Sequence, residues 1–306
     1  MDFTTLIDVE SLRTLIGTPG TLVLDCRFDL AAPTAGRQAH LLGHIPGARY
    51  LDLNRDLSAP VSATSGRHPL PDPQALAAHL AGFGLGPDTQ AVVYDESNGS
   101  FAARAWWLLR WLGHPKVAVL DGGMDAWLRA KGTLESGEPA RGAADPGAGG
   151  AHGAGGAHGA KGARGPVAVQ VDRRAVVGTD ELIAALDNPR TLLIDARAAE
   201  RFTGALEPID PVAGHIPGAA NHPFSANLRA DGRFLPREEL ERSWRDRLGA
   251  ASPTDVIVMC GSGVTACHNL LALERAGFAG ARLYAGSWSE WIRDPRRPVA
   301  GGSARG

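Results

Sequence analysis

The strongest constraint on how this chain folds is that it is written twice. TLVLDCRFDL (21–30) followed by GHIPGA (43–48) is answered by TLLIDARAAE (191–200) followed by GHIPGA (214–219). Farther on, AVVYD (91–95) corresponds to VIVMC (256–260), and LDGGMDAW (120–127) to LYAGSWSEW (283–291). The offset stays between 163 and 171 residues, so small loop changes align the halves. A period this long is a duplicated domain and not a solenoid repeat. At 306 residues the chain also exceeds the roughly 250 residues at which one core usually stops growing, so two cores are expected.

Within each half, short β-branched runs alternate with helical patterns, which predicts an α/β fold with a mainly parallel sheet flanked by helices. In the second half DVIVM (255–259) reads as a buried strand and TACHNLLALERAG (265–277) as a helix, leaving Cys260 and GSGV in the loop between them. In the first half QAVVY and AARAWWLLRWLG (102–113) repeat this arrangement, with Asp95 in the place of Cys260. The domains are read as 1–136 and 167–306. Between them, residues 137–166 form a Gly/Ala-rich stretch that buries too little surface to order and reads as a flexible linker. His152 and His158, in its two AHGA units, make a poor metal site, and neither metal nor cofactor is expected.

The bulk numbers exclude several classes. Hydrophobic residues make up 44 % and charged residues 21 %, and no apolar run approaches the ~20 residues of a membrane span. A membrane role is not expected. Net charge is −2 with both signs interspersed, which gives no basic face for nucleic acid. The start, MDFTTLIDVESL, lacks a basic n-region and a long apolar h-region, so the expected location is the cytoplasm. Three cysteines, Cys26, Cys260 and Cys267, without a CxxC pair, argue against a disulfide framework and leave room for one reactive thiol.

Of the three, Cys260 alone occupies a place where chemistry is expected. A strand ending in Cys, followed by Gly-Ser-Gly-Val-Thr and a helix, turns several backbone N–H groups toward the sulfur, with Gly261 and Gly263 letting the chain curl. Those amides and the positive end of the helix favour an anionic thiolate nucleophile, and the hydroxyls of Ser262 and Thr265 add donors. Ligands of open α/β sheets bind outside the carboxyl ends of the strands, where this loop falls. Cys267 lies inside the predicted helix and Cys26 at the end of a strand, so both read as packed core residues.

CGSGVTA (260–266), the paired GHIPGA segments, GRHPLP (66–71), DARAAERF (195–202) and YAGSWSEW (284–291) together resemble the two-domain rhodanese family, most closely its 3-mercaptopyruvate sulfurtransferase branch. The likeness spans nearly the whole chain outside the linker. It implies an enzyme whose Cys260 takes a sulfur atom from a small anionic donor, becomes a persulfide, and passes the sulfur to cyanide or to a thiol such as thioredoxin or a small thiol. Thiosulfate-using members resemble Cys followed by Arg and Lys, whereas this loop has uncharged Gly261, Ser262, Gly263 and Val264, which favours mercaptopyruvate.

The resemblance also implies roles for residues outside the loop. Arg201 maps onto an arginine that meets the donor carboxylate, a contact suited to a guanidinium fork. A second family arginine falls where this chain has Ile209, so Arg197 or another cation is required if a partner exists. His68 matches a histidine that reaches from the first domain to the loop serine in a Ser-His-Asp relay, with Ser262 as the serine. The relay acid's position in the family falls at Asn54 in LDLNRDLS (51–58), so the acid is read as Asp56, with Asp52 the alternative, and Arg67 adds positive potential at the domain interface. His44 and His215, one in each GHIPGA, read as turn residues, and the first domain as catalytically silent. Three other readings compete. A thiol phosphatase needs an arginine six residues after the cysteine, where this chain has Ala266; the others are a noncatalytic sulfur carrier and an enzyme that prefers thiosulfate.

Overall fold

The computed structural model describes residues 2–138 and 169–301; the linker expected over 137–166, with His152 and His158, lies almost entirely outside the described residues. The first domain holds strands β1 Leu6–Ile7, β2 Thr21–Asp25, β3 Arg49–Tyr50, β4 Gln90–Tyr94 and β5 Val117–Leu120. Its helices are α1 Val9–Leu15, α2 Ala35–Leu42, α3 Pro73–Gly82, α4 Ala102–Trp111 and α5 Gly123–Arg129. The second holds β6 Val176–Val177, β7 Leu192–Asp195, β8 Ala220–Asn221, β9 Val256–Met259 and β10 Arg282–Tyr284. Around these lie α6 Thr179–Leu186, α7 Ala199–Thr203, α8 Arg237–Leu248, α9 Thr265–Arg275 and α10 Ser287–Trp291.

Each domain is one five-stranded, wholly parallel sheet, ordered β1-β5-β4-β2-β3 and β6-β10-β9-β7-β8. Both faces are covered, which is why the central strands are buried along nearly their whole length: β4 and β9 have no exposed residue. The paired central strands are in equivalent register, Asp25 opposite Tyr94 and Asp195 opposite Met259. In each sheet the strand order reverses between these two strands, and a crevice opens beyond their carboxyl ends. Asp95 and Cys260, the next residues along, stand at those two crevices.

The domains pack through α4 and α9. Apolar side chains from the inner faces of both sheets and from these helices, Trp106, Leu109, Leu270 and Leu271 among them, form one continuous buried cluster. Separate clusters cover the outer faces, around Trp127 in the first domain and around Trp288 and Trp291 in the second. The halves therefore share a core as well as a sequence pattern, and the crevice of the second domain faces a wall built by the first.

Candidate active site

The loop from Cys260 to Val264 is held from both ends. Trp288 N donates to Cys260 O at 3.0 Å and Ser289 N to Gly261 O at 2.9 Å, so the start of α10 takes the loop carbonyls. Cys260 N donates to Ser287 Oγ at 3.0 Å. With its carbonyls turned away, the loop presents amides to the sulfur: Gly263 N lies 3.1 Å and Ser262 N 3.5 Å from Cys260 Sγ. Gly263 has φ +77°, and a Cβ there would stand 2.4 Å from Ala285 O, so the turn admits no side chain.

The first domain supplies an internal comparison. Asp95, the counterpart of Cys260, is fully buried, and its carboxylate accepts four amides: Ser97 N and Gly99 N at Oδ1, Phe101 N and Ala102 N at Oδ2, all within 2.7–2.9 Å. Burial pushes its pKa up and the four amides oppose that push. The duplicated loop is thus a cradle for negative charge, and in the first domain a side chain fills it.

Cys260 is 2 % exposed and opens into a pocket of about 400 Å³ lined by Phe28, Leu53, Phe101 and Ile209 on its apolar side and by Arg67, His68 and Arg201 on its polar side. Gly261, Ser262, Val264 and Thr265 complete the floor. A larger recess of about 910 Å³ lies elsewhere along the domain seam, against Trp106, Trp107 and Trp111, and holds neither a cysteine nor a histidine.

Two arginines from different domains converge over Gly261. A Cβ at 261 would stand 3.2 Å from Arg67 Nη2 and 3.4 Å from Arg201 Nη1. Behind them, Asp210 accepts from Arg67 Nη1 and, at 2.9 Å, from Arg201 Nη2, while Glu207 takes Arg201 Nε at 3.0 and 3.1 Å. These contacts pull the Glu207 carboxyl below its usual range against its burial. Each guanidinium is thereby oriented with one nitrogen left over the loop. Asp210 and Glu207, in LEPIDP, were not marked by the sequence reading; an acid pair flanking a motif arginine was the available signal.

The other expected residues divide. His68 does cross from the first domain, and its Nδ1 lies 2.7 Å from Ser262 Oγ. Burial, then Arg104 and Arg67, lower its pKa to about 3, so the ring is neutral at physiological pH. Asp56 does not reach His68: it accepts from Asp52 N at 2.7 Å and faces His79 at 3.4 Å. Asp52 does not replace it, since its carboxylate caps the Asn54 and Arg55 amides. The histidine is instead fixed by burial and by its backbone.

Arg197 is also absent from the pocket. It binds Asp195 through both Nε and Nη2, donates to Gly214 O at 2.7 Å and lies 4.7 Å over the Trp288 ring. Arg27 makes the same bonds to Asp25 and Gly43 O in the first domain, which marks the pair as a fold staple. His44 Nδ1 and His215 Nδ1 lie 2.8 Å from His40 O and 2.7 Å from Phe202 O, at the turns. Cys267 is buried, its thiol pushed up to about 12 by desolvation, and donates to Gly263 O at 3.3 Å.

Comparison with known proteins bears on the chain as a whole. The rhodanese-like domain model matches the chain twice, over residues 8–130 and 178–294. A Pseudomonas aeruginosa protein named "Probable 3-mercaptopyruvate sulfurtransferase" is 48 % identical over 299 residues, covering 97 % of this chain and 98 % of the relative. The thiosulfate sulfurtransferase of Cricetulus griseus is 33 % identical over 290 residues, covering 92 % and 89 %. Among solved structures, SseA from Escherichia coli, titled as a 3-mercaptopyruvate sulfotransferase, superposes with a TM-score of 0.73 at 33 % identity, covering 94 % of this chain and all of that one.

Proposed function

This chain belongs to the two-domain rhodanese family and is a sulfurtransferase, and from that premise we propose that it takes sulfur from 3-mercaptopyruvate as a persulfide on Cys260. The observation that carries the donor assignment is the charge balance over Gly261. Arg67 and Arg201 each offer one nitrogen to a carboxylate, and Asp210 and Glu207 offset their remaining charge. A monoanionic 2-oxo acid suits this arrangement. A dianion such as thiosulfate needs an uncompensated cation inside the pocket, and there the loop carries none while Arg67 and Arg201 are both paired with carboxylates. Arg67 takes the part left open by Ile209.

In the proposed reaction the Cys260 thiolate attacks the donor sulfur, an S–S bond forms, and the C–S bond breaks toward carbon. The enolate of pyruvate leaves and is protonated to pyruvate. Ser262, bonded to the neutral imidazole of His68, stands where that proton moves, with His68 Nδ1 accepting from the hydroxyl when its own proton sits on Nε2. A thiol or cyanide then removes the outer sulfur and restores Cys260. Thioredoxin or a small thiol fits the acceptor role, because the crevice opens at the seam. The first half, 1–136, contributes Arg67 and His68 but no nucleophile. The three cysteines are unpaired, which suits the reducing cytoplasm.

Incubation with 3-mercaptopyruvate is expected to release pyruvate and to leave a mass gain of roughly 32 Da, one sulfur atom, on the peptide bearing Cys260. The Cys260→Ser variant is expected to do neither. A higher kcat/KM for thiosulfate than for 3-mercaptopyruvate overturns the donor assignment, and a sulfur adduct without turnover leaves only a carrier.

A further inference from the structure

Helix α4 is buried on every side over Ala102–Leu109, and one of those positions is a cation. Arg104 has no exposed surface. Its guanidinium crosses the domain seam: Nη1 donates to Gly263 O at 3.1 Å, and Nη2 to His68 O at 3.2 Å, with Leu57 O and Pro69 O at 3.4 Å. It meets only neutral carbonyls and sulfur. Burial pulls its pKa down, and the sulfurs of Cys267 and Cys260 act against that pull. Arginine keeps its charge even when buried, so a permanent positive charge without a carboxylate sits behind the loop whose sulfur must ionise.

The duplication shows that this charge is not needed merely to dock the domains. Asn98, with φ 58°, stands in the first loop where Gly263 stands in the second. Its carbonyl is likewise met from the opposite helix, by His268 Nε2 at 3.2 Å. Burial takes the pKa of His268 to about 3, so that brace is neutral. The loop with a built-in carboxylate is braced by a neutral ring, and the loop with a titratable thiol by a cation.

We propose that Arg104, supplied by the domain without a nucleophile, is a positioning residue that both holds the Gly263 peptide and favours the thiolate of Cys260. This rests on Cys260 being the nucleophile, but not on which donor it uses. The charges facing the sulfur from other directions supply no net positive charge. Arg67 and Arg201 are matched by Asp210 and Glu207, and His68 is neutral. Asp29 and Glu96 line the pocket as acids, and Cys267, behind the loop, remains a thiol.

The test is the pH dependence of Cys260 alkylation by iodoacetamide, read by mass spectrometry in Arg104→Gln, Arg104→Met, Arg104→Lys and His268→Gln. In the two neutral Arg104 variants the rate at pH 7 is expected to fall at least about tenfold and to recover toward the wild-type plateau at high pH, a displacement of about one pH unit or more. Arg104→Lys, which keeps the cation, is expected to stay within about threefold of wild type at pH 7. His268→Gln is expected to lower the melting temperature and leave the profile in place. Folded neutral variants with the wild-type profile overturn the proposal. So does a His268→Gln profile displaced as far as that of Arg104→Gln, because domain docking alone then explains the effect. Loss of alkylation at every pH in wild type would instead defeat the assignment of Cys260 as nucleophile.

Discussion

His268 is buried next to Phe234, whose ring stacks on it at 4.4 Å, and its folded-state pKa lies at about 3. An unfolded histidine takes up a proton near pH 6.5, and this one cannot until far lower, so its contribution to stability is present above pH ~6.5 and is lost as pH falls. Each pH unit in that interval costs about 1.4 kcal/mol. The stability difference between wild type and His268→Gln, from urea unfolding at pH 7, 6 and 5, is therefore expected to narrow by about 0.7 kcal/mol over the first step, which straddles the unfolded pKa, and by about 1.2 kcal/mol over the second. A constant difference would show that the ring is not held neutral. Single residues were also where the sequence was least legible. Cys260 and His68 stand in motifs whose local pattern carries them. Asp56 is pointed to only by its place in the chain beside Asn54, whereas the direction of a carboxylate depends on a turn that folds it back on Asp52 N. Arg104 lies in a run that reads as apolar helix, and the signal was its company: a cation among Ala, Trp and Leu has no water and must have partners.

The strand–loop–helix around Cys260 was legible because its parts agree: an apolar run, a glycine-punctuated turn and an apolar-periodic helix, repeated at the position of Asp95. Its two glycines differ in what they do, and substitution is expected to separate them. Gly263→Ala meets a backbone oxygen at a positive φ, costing about 1–3 kcal/mol from the conformation alone, and is expected to lower both the melting temperature and kcat. Gly261→Ala meets only the movable tips of Arg67 and Arg201. It is expected to melt within about 0.5 kcal/mol of wild type and to raise KM for the donor severalfold with a smaller effect on kcat. Equal melting temperatures for the two variants would contradict this geometry.

On the scale of the molecule, the period of the sequence predicted two sheets and two crevices but not that the apolar clusters would join. That depends on which faces of α4 and α9 meet, and both helices are buried on every side over Ala102–Leu109 and Ala266–Leu273. With a shared core, the halves are expected to unfold in one calorimetric transition. Leu271→Ala, a fully buried position in that core, is expected to shift the whole transition by the ~2–5 kcal/mol of a large-to-small change. Two separated transitions would show that the cores act independently. The carboxylate of Asp95 gives the pseudo-symmetric assembly its handedness of purpose. A counter-ion tethered by its own backbone is held at a very high effective concentration, so this cradle stays filled in the folded domain. Of the two duplicated cradles, only the one at Cys260 is left for substrates and inhibitors to compete over.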